Sequence, residues 1–153
     1  VVDAGVRDSM NMGAAMAPAA FHTVMQNLKD LEITKEQLEG GWYDKIITGD
    51  LGKIGKQALA DLLRNEGLEA EGFLMDCGVE IYDNQKQDTH AGGSGCGCSA
   101  SVLAGYILPK IACGDWKRVL FVPTGALLST VSFNEGQTIP GIAHGVILER
   151  MGK

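Results

Sequence analysis

The sequence has no apolar run approaching the roughly 20 residues that a membrane-spanning helix needs, and no secretory leader is visible in it. It has no excess of basic charge. Thirteen Lys and Arg stand against 19 Asp and Glu, for a net charge of −6. Phosphate recognition wants a basic face, so a nucleic-acid partner is not expected. The chain also lacks the charge density of a disordered segment: charged residues make up 21% and hydrophobic ones 45% of its 153 residues. That is enough for one globular domain with a sizeable core. No internal repeat, linker or low-complexity stretch divides it. No Cys/His pair sits at zinc-finger spacing, and Cys-x-Cys is not a common ligand spacing, so no metal and no cofactor is expected. The four cysteines, 77, 96, 98 and 113, lack the setting of a secreted disulfide scaffold. Reduced thiols in an intracellular context are the expectation.

What is present is an alternation of strand and helix patterns. Val1–Val6 reads as a short strand, and opening in one suggests a start internal to a longer protein. Residues 12–31 place Phe21, Val24, Met25, Leu28 and Leu31 on one helical face. Thr34-Lys35-Glu36-Gln37 has the form of a capping box for a short helix ending near Gly40-Gly41. Tyr43–Thr48 ends as an apolar strand. Residues 53–66 form a helix closed by Gly67. Val79–Tyr82 alternates as a strand, and Ser99–Ala112 is helical, with Pro109 expected to kink it or end it early. Lys117–Val122 is a buried strand, a Gly/Ser/Thr-rich loop runs through Gln137, and Ile142–Leu148 is the last strand. The order β-α-β-α-β-α-β-β implies an α/β fold around a five-stranded mixed sheet, its final strand antiparallel for want of an intervening helix.

In such sheets ligands gather outside the carboxyl ends of the strands. Three loops belong there: "TGDLG" at 48–52, "THAGGSGCGCS" at 89–99 and "PTGALLS" at 123–129. The middle loop matches neither a nucleotide P-loop nor a dinucleotide fingerprint. Its glycines, among them Gly92 and Gly93, have two readings. They turn the chain into a helix and leave N–H groups for an anion, or they let the loop pass close beneath a neighbouring layer. His90 could serve as a general base or a hydrogen-bond donor, or could be a surface histidine. Cys96 and Cys98 stand at a helix start, where the dipole lowers a thiol's pKa. The alternative is that they are small packing residues, as Cys77 and Cys113 are expected to be. Asp50 could orient a ligand or close an Asx-turn.

With these loops placed, the chain resembles the C-terminal half of thiolases and ketoacyl synthases. "HAGG" at 90–93 looks like a departed His-Pro-x-Gly loop. "PTGALLS" resembles the family's later glycine loop but carries no cysteine, and the nucleophilic cysteine belongs to the other half. The segments "NMGAAMAPAA", "YDKIITGDLGKIG", "MDCGVEIYD", "AGGSGCGCSA", "RVLFVPTGALLS" and "IPGIAHGVILE" run in order over almost the whole chain. As a set they are similar to the stage V sporulation protein AD family of spore-forming bacteria. That resemblance implies a single thiolase-like C-terminal domain over 1–153 and a non-enzymatic, degenerate site. It implies binding of dipicolinic acid or its calcium chelate and uptake of this acid into the developing spore. It further implies work with membrane proteins of the same operon, a peripheral location at the spore inner membrane, and pairing with the missing N-terminal half or with another copy. The implied ligand-binding set is Gly49, Asp50, His90, Gly92, Gly93, Ser94, Cys96 and Thr124, with Leu127 and Leu128 as an apolar wall. The alternative is an active acyltransferase of the same class with His90 as base.

Overall fold

The computed structural model describes residues 1–93 and 95–151. The chain runs α1 (Met12–Asp30), α2 (Lys35–Glu39), β1 (Lys45–Thr48), α3 (Gly52–Asn65), β2 (Leu74–Asp76) and α4 (Cys77–Glu80). It continues α5 (Cys98–Val102), a π turn (Leu103–Ile107), α6 (Leu108–Cys113), β3 (Arg118–Val122), β4 (Thr124–Ala126), α7 (Thr130–Asn134), β5 (Gly141–Ala143) and β6 (Val146–Glu149).

Four strands form one sheet in the order β2-β1-β3-β6. The first three are parallel, and β6 pairs antiparallel with β3, with Val119 opposite Leu148 and Phe121 opposite Val146. Successive strand residues point to opposite faces, so each strand feeds two cores. Leu74, Ile46, Leu120 and Val122 pack with α1 and α3. Met75, Ile47, Val119 and Phe121 pack with the helical stretch from Cys98 to Cys113. The result is a mixed α/β fold with helices on both faces. Between α1 and α3 the backbones nearly touch: a Cβ on Gly55 would lie 2.8 Å from the Gly13 Cα. Only glycine permits that approach.

Several expectations hold. The Thr34 capping box forms, with the hydroxyl accepting from Gln37 N and Gln37 Oε1 accepting from Thr34 N. The final strand is antiparallel. Others are corrected. Val1–Val6 forms no strand of the sheet, only a bridge from Val2 to Gly141. The edge strand is Leu74–Asp76, and 77–80 is a helical turn. The alternation of "VEIY" imitated a half-buried strand, whereas a strand covered on both faces reads as a short continuous apolar run, here "FLM".

The five-stranded single sheet is a four-stranded sheet plus a two-stranded one, β4-β5. Pro123 has no N–H for the ladder and ends β3. The expected last strand breaks at His144-Gly145 into β5 and β6. The loop expected through Gln137 contains α7, capped by Ser129 and Ser132. Pro109 does not end its helix. A π turn precedes it, Pro109 sits at the start of α6, and the helix runs on to a left-handed Gly114.

Candidate functional site

The carboxyl ends of β1, β2 and β3 lie side by side, and the loops that leave them converge. A Cβ on Gly49 would fall 2.8 Å from Thr124 N, so the turn after β1 touches the start of the loop after β3. Asp50 projects between them. Its carboxylate accepts from the Thr124 hydroxyl at 3.3 Å and, at the long limit, from Gly95 N at 3.5 Å. Burial pushes its pKa up, against the lowering effect of these two donors.

Beside Asp50 opens a cleft of about 400 Å³. Its walls are Met10, Met12 and Met16 at the entry to α1, Ile54 on α3, Ala126 on β4 and the backbone of Ala91–Gly93. Among the described residues that line it, Asp50 carries the one charge.

The glycine loop is fastened down rather than open. Ala91 O accepts from Lys53 N at 2.6 Å, Gly92 N donates to Thr89 O, and Gly93 N donates to Gly78 O at 2.9 Å. A Cβ on Gly78 would lie 2.3 Å from the Gly93 carbonyl, and one on Gly92 would lie 2.9 Å from the Gly78 carbonyl. For Gly92 and Gly93, close passage beneath a neighbouring layer is the reading the geometry shows. Their N–H groups are spent on the protein itself.

The expected site residues divide accordingly. Gly92, Gly93 and Asp50 line the cleft, with Gly49 and Thr124 packed around Asp50. His90 does not line it. Its side chain is 88% exposed, on a backbone at φ 49°, with Nδ1 3.4 Å from Asp88. Cys96 is exposed rather than packed, as is Cys113. Ser94 lies outside the described residues. Leu127 lines a separate groove with Asp3 and Arg7, so neither it nor Leu128 forms the cleft wall. The thiols at the strand ends are not activated. Cys77 and Cys98 are buried in the second core, as the packing reading expects, and burial pushes Cys77 up to about 12 and raises Cys98 as well.

One residue beneath the cleft went unnoticed in the sequence. Asp76 at the end of β2 is fully buried and accepts from Thr48 Oγ1, Leu51 N and Gly52 N at 2.7, 2.8 and 3.0 Å. Burial raises its pKa while these donors lower it. The available signal was an acid closing the short apolar run "FLMD". The methionine wall was equally legible in "SMNMGAAM" at 9–16.

Comparison with known proteins adds two findings. The family model of stage V sporulation protein AD matches residues 1–149. Stage V sporulation protein AD of Bacillus subtilis (strain 168) is 44% identical over 152 residues, which is 99% of this chain and 43% of the relative. The chain thus spans less than half the length of that curated relative.

Proposed function

We propose a role from one premise: the chain belongs to the stage V sporulation protein AD family. Within sporulation, it is the thiolase-like C-terminal half of a non-catalytic protein. That protein binds dipicolinic acid or its calcium chelate and supports its uptake into the developing spore.

The observation that carries this reading is the convergence of three strand-end loops on one open cleft, where the buried Cys77 and Cys98 thiols are not activated. About 400 Å³ is within the range of small-molecule sites, and the methionine and isoleucine wall suits an aromatic ring. The Cys77 and Cys98 thiols stay protonated, and His90 faces solvent, so this half offers binding rather than acyl transfer. The lining holds no cation among the described residues. The charge of two carboxylates is therefore met by bound calcium or by the other half of a longer chain.

Among the described residues, no helix is long and apolar enough to cross a membrane. The protein acts peripherally at the spore inner membrane, beside membrane proteins of the same operon. The exposed Ile81, Tyr106 and Leu108 are covered by the N-terminal half or by a second copy, so this half alone self-associates in a concentration series.

Calorimetric titration of the full-length protein with dipicolinate, with and without calcium, tests the role. Saturable heat is expected, and its absence at millimolar ligand contradicts the role.

A further inference from the structure

Asp76 is fully buried, and no ion pair with it occurs among the described residues. A carboxylate in that position is costly unless donors surround it. Its donors share one address. Thr48 closes β1, and Leu51 N and Gly52 N are first amides of α3. The first amides of a helix have no partner within it, and Leu51, at the N-cap, offers no side-chain oxygen. A carboxylate from the neighbouring strand therefore does the capping and sits where the helix dipole favours an anion.

The next amide of α3 extends the linkage. Lys53 N donates to Ala91 O, and Gly93 N donates to Gly78 O, two residues beyond Asp76. Gly52, held at φ 67°, leaves no room for a Cβ against Ala91 O. The cleft-lining segment 91–93 is thus fixed to two pieces of backbone, one that Asp76 holds by its side chain and one that follows it in sequence.

We propose that Asp76 is the positioning residue of the cleft, setting the 48–52 turn and, through Lys53 and Gly78, the 91–93 wall without touching the ligand. Its consequence for binding rests on reading this cleft as the ligand site, while its consequence for the loops does not.

The test is Asp76→Asn in the full-length protein, read by amide hydrogen exchange and by titration with dipicolinate and calcium. An asparagine keeps the shape but presents donors to one of the two backbone amides. Exchange at Leu51, Gly52, Lys53 and Gly93 is expected to rise about tenfold or more, with Val24 and Leu28 unchanged, and affinity to fall about tenfold. A rise confined to Leu51 and Gly52, or one uniform across the chain, overturns the positioning role, as does unchanged affinity in a parent that binds. If the parent binds no dipicolinate, the ligand reading fails and the exchange pattern still decides the role of Asp76. If Asp76→Asn does not fold, Thr48→Val removes one donor and keeps the strand. Faster exchange at Lys53 and Gly93 then supports the role, and parental rates there overturn it.

Discussion

The two ends of the parallel strands are built from different materials. At the amino end lies the larger groove, about 670 Å³, lined by Gln37, Trp42, Asp44, Lys117, Arg118 and Arg150 among others. Much of its charge is already matched. Arg118 pairs with Glu149 and lies over the Trp42 ring at 4.5 Å, Lys110 pairs with Asp115, and Asp44 accepts from Lys117 N and Arg118 N. At the carboxyl end the cleft is smaller, walled by methionine and bare backbone, with one charge among the described residues, Asp50. Size alone would select the amino end, where most of the charge is matched within the protein. The amino end is a polar seam that closes the sheet. The carboxyl end is where loops meet and where, among the described residues, a half-buried acid accepts only long hydrogen bonds.

The comparison makes graded predictions. The largest effect belongs to Gly78→Ala, whose Cβ would lie 2.3 Å from the Gly93 carbonyl. Backbone cannot yield as a flexible side chain can, so a loss of about 3 kcal/mol is expected in denaturant unfolding. A loss below about 1 kcal/mol would mean the glycine layer is loose. Asp44→Ala at the amino end removes the acceptor of two backbone amides. It should cost about 1.5 kcal/mol by the same measurement and leave ligand affinity unchanged.

The smallest effect is a gain. Burial raises the pKa of Asp50 in the folded state. Between the ordinary value of 3.8 and the raised one, the folded state binds more protons than the unfolded. The acid's contribution to stability is thus intact below that ordinary value and declines as pH rises through the folded one. Asp50→Asn should therefore melt about 2 °C above the parent at pH 7. The difference should vanish as pH falls below the ordinary carboxylate range, and a lower melting point at pH 7 would contradict it.

Much of this architecture is legible in the sequence. The helical face of α1, the Thr34 box, the buried run before Pro123 and the meeting of "TGDLG" with "PTGALLS" all follow from local pattern. What was misread has physical causes. A short strand covered on both faces has no alternation, so Leu74–Asp76 lost to the alternating "VEIY" that follows. The turn at 77–80 arises from Gly78 passing beneath Gly93, a contact far apart in sequence. Cys98 packs in the second core, as one of its two readings expects, and there burial raises the thiol. His90, read as either a ligand donor or a surface histidine, is exposed and lies outside the cleft lining. Asp76 was invisible as a site residue because it acts from below, through amides that only the fold brings to it.

The most direct test of the central claim is a hydrogen-exchange footprint of dipicolinate with calcium on the full-length protein. Protection is expected in segments 49–55, 91–97 and 123–127 at the carboxyl end of the strands. Protection confined to 37–44, 115–118 and 149–150 at the amino end would contradict the account.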